Sequence, residues 1–111
     1  MSTQIDSNPF PLGFIGPTPL SPECINKNYP DLDYGYVNLI LIQAHTENLG
    51  RCFFGNRRLN LLTGEGLMFT LADPGSSLVL SNIAQNIYKL SDFYIDVESP
   101  GDGVFVSIYV R

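Results

Sequence analysis

Few side chains in this chain could do chemistry, and their spacing does not gather them. The single histidine is His45. Acid–base or nucleophilic work by a histidine needs a second group that orients it or that it activates, and none stands beside His45 in sequence. Cys24 and Cys52, the two cysteines, have neither metal nor redox spacing. Glu65, Asp73, Asp96 and Glu98 could be imagined as a glycosidase pair. Yet Glu65 and Asp73 fall in turn sequences, and Asp96 and Glu98 fall on the polar side of an alternating run. Asp31, Asp33 and Asp102 offer oxygens to calcium, but Asp31-Leu32-Asp33-Tyr34-Gly35 lacks the rest of a binding loop. Thr63-Gly64-Glu65-Gly66 has glycines but neither the lysine nor the following helix of a phosphate loop. The expectation is a non-enzymatic protein with no catalytic residues, cofactor or metal.

Charge narrows the partners. The net charge is −5, which disfavours a nucleic-acid partner held through phosphates and a polybasic membrane surface. The one local basic cluster is Arg51, Arg57 and Arg58, which reads as solvated or interface charge. The longest apolar run, Leu39 to Ile42, is too short to span a bilayer. The N-terminus MSTQIDSNPF has no signal-peptide pattern. Synthesis in a reducing cytoplasm is therefore expected, with both cysteines as thiols. The alternative, a Cys24–Cys52 disulfide, would pin the N-terminal segment to the body. Tryptophan is absent, so a sugar-binding platform would have to come from Tyr88, Tyr94 and Tyr109.

Two regions must position these residues. Residues 1–35 hold Pro9, Pro11, Pro17, Pro19, Pro22 and Pro30, most of the prolines in the chain. Proline lacks an N–H and pushes the residue before it towards extended geometry. Phe10, Leu12, Phe14, Ile15, Leu20, Ile25, Tyr29 and Tyr34 are spread among the prolines. This predicts an extended N-terminal arm, which either clamps a neighbouring subunit or packs back on its own domain.

Residues 36–111 read as a run of short strands. Tyr36 to Gln43 is the strongest, being aliphatic and β-branched. Arg51 to Gly55 follows, then Asn56-Arg57-Arg58 as a turn and Leu59 to Leu62 as a short extended piece. Leu67 to Leu71 and Ser76 to Leu80 are strands around Ala72-Asp73-Pro74-Gly75, which is turn chemistry. Ser81 to Lys89 is the one helix candidate, with Ser81 as N-cap; a loop with one helical turn fits as well. The end of the chain, Asp92 to Arg111, alternates apolar and polar residues on both sides of Ser99-Pro100-Gly101-Asp102-Gly103, so it is predicted to form a hairpin. Strands punctuated this often indicate an all-β fold: a single antiparallel β-sandwich, jelly-roll-like, carrying the proline-rich arm.

From Leu39 onwards the order of pieces resembles small β-sandwich proteins that decorate or cement the heads of tailed bacteriophages. The likeness runs through Leu39 to Gln43, then Phe53-Phe54-Gly55-Asn56, then Thr63 to Leu67. It continues in the step Leu71, Pro74, Gly75, Leu78, in Leu90 to Asp96, and in the final strand from Val104. It covers about two-thirds of the chain; the insert Ser81 to Lys89 and the N-terminal arm depart from it. The resemblance implies a structural protein of the virion, made in the host cytoplasm and bound on the capsid surface. It implies the major capsid protein as partner and a homotrimer as the assembly. The residues expected to meet the capsid are Phe10, Leu12, Phe14, Ile15 and Leu20 in the arm, with Arg51, Arg57 and Arg58 against acidic surface. Another virion part (a head–tail adaptor, tail or fibre-base protein) and a carbohydrate-binding module are the alternatives.

Overall fold

Every strand in the structure, a computed structural model that describes residues 8–31, 37–81 and 89–110, follows from an apolar alternation or from a neighbour able to use its polar edge. In chain order these are β1 (Asn8–Ile15), β2 (Glu23–Cys24), β3 (Val37–Ala44), β4 (Cys52–Asn60), β5 (Glu65–Leu71), β6 (Ser77–Ser81), β7 (Tyr94–Val97) and β8 (Val104–Val110). Only a single 3-10 turn, Leu90–Asp92, interrupts this all-β pattern among the described residues.

The strands form two antiparallel four-stranded sheets. One has the order β1-β8-β3-β6 and the other β2-β7-β4-β5. Short connectors carry the chain from the first sheet to the second after β1 and β3, and back after β5 and β7. Ile40, Ile42, Val106 and Ile108 of the first sheet join Phe54, Ile95, Val97 and Leu71 of the second in one buried cluster. Period-two alternation explains the selection: in β3, Ile40 and Ile42 are buried while Leu39 and Leu41, which alternate with them, are half-exposed on the opposite face.

The closing hairpin is not formed. β7 pairs with β2 and β4, and β8 pairs with β1 and β3. The two strands therefore belong to different sheets, and residues 98–103 cross between them. Both strands have a fully apolar face, so each is served by the shared core; pairing with each other would not add to that burial. The connector is also anchored elsewhere. The Asp102 carboxylate accepts the N–H of Leu49 at 2.9 Å and of Gly50 at 2.7 Å, in the connector between β3 and β4.

The described part of the proline-rich segment packs on its own domain. β1 is an edge strand, where a missing N–H can face away from the ladder. A bulge at Pro11/Gly13, with Gly13 at φ 91°, lets Leu12 and Ile15 both turn inward. The expected boundary near residue 35 lies outside the described residues.

The turn expected at Asn56-Arg57-Arg58 lies inside β4. The Asn56 Oδ1 does accept the Arg58 N–H at 2.8 Å, a local turn. The pairing with β5 resumes beyond it, jumping from Gly55–Leu67 to Asn60–Glu65. Gly66, at φ 74°, faces the resulting bulge, where a Cβ would strike Asn56 Oδ1 and the Arg58 backbone. Most of the expected helix 81–89 lies outside the described residues; Ser81 is the last residue of β6.

Candidate interaction surfaces

Several of the residues capable of chemistry are engaged in holding the fold. The His45 Nδ1 accepts the Glu47 N–H at 2.9 Å. Its ring stacks on Phe105 with centroids 5.3 Å apart and meets the edge of Phe14 at 5.8 Å. Glu98 receives three bonds from the Arg51 side chain, at 2.6, 3.1 and 3.3 Å, and one from its backbone N–H. These bonds hold its carboxyl down at about 2. Glu65 stands 3.7 Å from Arg58. Asp102 is saturated by amides, and Asp33, a member of the supposed calcium trio, lies outside the described residues. Among the described residues no three His, Cys, Asp or Glu side chains converge in a way that could hold a metal ion.

Neither cysteine is disulfide-bonded. Cys24 donates to the Leu90 carbonyl at 3.3 Å. Cys52 is buried under the β3–β4 connector. Burial, and secondarily the Asp102 charge, push its thiol up to about 11, against a hydrogen bond from Asn48 that favours the thiolate. A thiol so placed is a poor nucleophile. Asn48 ties this end of the molecule together: its side chain donates to the Gly103 carbonyl at 2.9 Å and accepts the Gly103 N–H at 3.0 Å. Sequence reading passed over Asn48, because a polar residue in a polar loop gives no sign of being buried.

The residues expected to meet a partner divide. Leu12 and Ile15 are both 1% exposed, so they are core residues of this chain and not contacts; the bulge that turns them inward was not visible in the proline pattern. Phe10, Phe14 and Leu20 are exposed. Phe10 meets Tyr29 edge-on at 5.3 Å, and Phe14 meets Phe105 at 5.4 Å. The three arginines are not a free basic cluster. Arg51 pairs with Glu98, Arg57 with Asp92 at 3.2 Å and Arg58 with Glu65. These exposed pairs are individually weak, but they leave no unbalanced positive patch.

Two surfaces stand out among the described residues. The outer face of the first sheet presents Phe14, Phe105 and Gln43 in one row and Pro11, Ser107, Leu41 and Val79 in the next, with Leu39 and Tyr109 beyond. No charged side chain stands among them. On the second sheet, a groove of about 400 Å³ runs between Pro19, Leu20, Phe53, Leu61 and Leu67, with the Arg51–Glu98 pair at its rim. Phe105 and Val79 were missed from sequence because alternation identifies two faces without telling which one stays in water. Tyr94 and Tyr109, the candidate sugar platform, are half-buried in different sheets, and Tyr88 lies outside the described residues.

No protein-family model matches the chain, and neither a curated protein nor a solved structure matches it.

Proposed function

We propose that the two sheets close on each other as a β-sandwich of jelly-roll type, and that the chain is a non-enzymatic virion protein that binds and stabilises a capsid lattice. The topology supports the first half. Strands 1 and 8, 2 and 7, 3 and 6, and 4 and 5 are antiparallel partners, the nested pairing of a folded-over ribbon. Jelly rolls serve widely as capsid and lectin domains. The resemblance to head-decoration proteins, carried by the segments from Leu39 to Val104, points within that range to the capsid.

The observation that carries the functional half is the uncharged outer face of the first sheet. In a chain of net charge −5, a sheet face with Phe14, Leu41, Val79 and Phe105 and no ionised group is suited to dry contact with a protein partner. The major capsid protein is that partner in this reading, with Phe10 and Leu20 as further contacts. A repeated lattice then multiplies modest single contacts.

The test is co-expression with the major capsid protein of the same genome, followed by gradient sedimentation. Migration with heads at fixed stoichiometry, lost in the double variant Phe14→Asp/Phe105→Asp, is the expected result. Wild-type protein that stays at the top of the gradient while heads sediment would overturn the reading. Density at a tail or portal vertex, seen by cryo-microscopy, would favour the adaptor alternative.

A further inference from the structure

Three aromatic rings meet where the outer face of the first sheet runs into the connectors. Phe14 of β1 and Phe105 of β8 are cross-strand partners, and His45 joins them from the β3–β4 connector. The rings of His45 and Phe105 lie 30° from parallel, while Phe14 stands steeply against both, at 61° to Phe105 and 87° to His45. Together with Glu47, Asn48 and Gly101 they line a surface notch of about 280 Å³. All of these residues belong to the described part of the chain, and the rings reach solvent: Phe14 is 41% and Phe105 44% exposed.

The notch is built before anything enters it. The Phe14 ring lies against the backbone of Gly16 and Gly103, where a Cβ at either position would strike it. The His45 ring is fixed by the Glu47 N–H at its Nδ1, and its backbone N–H by the Gly103 carbonyl at 3.0 Å. Asn48 is engaged with Gly103 and Cys52, which leaves Glu47 as the free polar group of the wall. Glu23, Glu65, Asp92 and Glu98 each hold a cation of this chain. The exposed Glu47 carboxylate has neither an ion pair nor a hydrogen bond among the described residues.

We propose that this notch binds an arginine side chain presented by a partner protein. The face of an aromatic ring attracts a cation within about 6 Å of its centroid. Glu47 adds a full negative charge at the wall, and the chain as a whole carries −5. Among cations the guanidinium fits best: it is planar and weakly hydrated, so it stacks on a ring while its N–H groups reach a carboxylate. The notch is smaller than the usual pocket for a drug-sized ligand and suits one side chain. Rings already packed together lose little freedom on binding. The inference does not depend on the virion reading, since a chain that stays at the top of the gradient can still bind arginine.

The chain has one histidine, so the His45 ring signals in a proton NMR spectrum report on the notch directly. The purified full chain is titrated at pH 7 with the peptide acetyl-Gly-Arg-Gly-amide. The expected result is a saturable shift of those signals with a Kd of about 1–10 mM, the scale of one exposed cation–π contact and one exposed ion pair. The matching citrulline peptide, which has the shape without the charge, binds roughly fivefold weaker. The arginine peptide loses roughly the same factor against Glu47→Gln or Phe105→Thr. Glu65→Gln, at the start of β5 in the other sheet, leaves the affinity unchanged. Amide spectra as dispersed as those of wild type show that the variants are folded, and Glu47→Gln keeps the backbone bond to His45. Unmoved His45 signals overturn the proposal. So does a citrulline peptide that binds as tightly as the arginine peptide, or an affinity indifferent to Glu47→Gln. Tighter binding of a trimethyllysine peptide would overturn the assignment to arginine.

Discussion

Asp102, in the connector before β8, and Asp96, in β7, are both buried carboxylates, but their surroundings support them differently. Asp102 is 4% exposed and accepts three hydrogen bonds: from Leu49 to both of its oxygens, at 2.9 and 3.1 Å, and from Gly50 at 2.7 Å. Asp96 is fully buried under the segment that joins β1 to β2. Its Oδ1 accepts the Val97 N–H at 2.8 Å and the Leu20 N–H at 3.1 Å, while its Oδ2 has no partner. The Ser21 amide also faces the carboxylate, yet it donates to the Thr18 carbonyl. Burial therefore wins over these amides and pushes the Asp96 carboxyl above its ordinary value. Leu20 itself is held at φ 66°, a left-handed conformation that costs a leucine about 1–2 kcal/mol. One carboxylate locks two connectors together; the other holds a strained strap at the expense of its own solvation. Burial alone does not make an aspartate a stabilising anchor. The number of donors it gains decides the sign.

The comparison breaks most sharply at Asp102. Asp102→Ala leaves the Leu49 and Gly50 amides without their acceptor and is expected to cost about 2–4 kcal/mol, read as a lower urea midpoint. Asn48→Ala orphans the Gly103 N–H in the same network, and about 2 kcal/mol should be lost. If both variants unfold at the wild-type midpoint, the connectors are not joined as described.

Asp96→Asn should be far milder at pH 7, within about 1 kcal/mol of wild type, since the amide oxygen still accepts from Leu20 and Val97 and the buried charge is gone. The pH dependence sharpens the contrast. A carboxyl whose folded value is raised adds stability that is complete below its ordinary 3.8 and is lost as pH climbs through the raised value. Urea midpoints from pH 3 to pH 7 should thus fall more for wild type than for Asp96→Asn. The smallest effect belongs to Glu98, whose value is depressed to about 2. Its contribution is present above 4.5 and fades as pH drops towards 2. Glu98→Gln should remove that acid-side loss and change little at neutral pH, because the pair is exposed and screened by salt. Carboxylates two residues apart in sequence would then respond to acid in opposite directions.

Much of the strand content was legible in the chain itself. β3, β5 and β6 fall within a residue or two of the runs marked by aliphatic and β-branched residues, since side-chain packing on a pleated surface is a local property. The turn at Asp73-Pro74-Gly75 was equally plain, with Gly75 at φ 79°. The pairing of the last two strands was not legible. Two alternating runs around a Pro-Gly connector look alike whether they pair side by side or face each other across a core. The decision rests on Asp102 finding amides in a connector some fifty residues away. The exposure of the candidate contacts was only partly legible. Phe10, Phe14 and Leu20 are exposed as an arm reading requires, but Leu12 and Ile15 are internal because a bulge at Gly13 re-aims them, and Arg51, Arg57 and Arg58 are balanced by acids distant in sequence.

By itself, then, the sequence determined that the chain would be all-β, which residues alternate, and where the backbone must turn, because these depend on sterics and burial within a few residues. Tertiary structure alone decided which sheet each strand joins, which apolar face is left in water, and which buried aspartate is fully bonded. Those outcomes depend on donors, edges and faces contributed by residues far along the chain, and a local pattern contains no record of them.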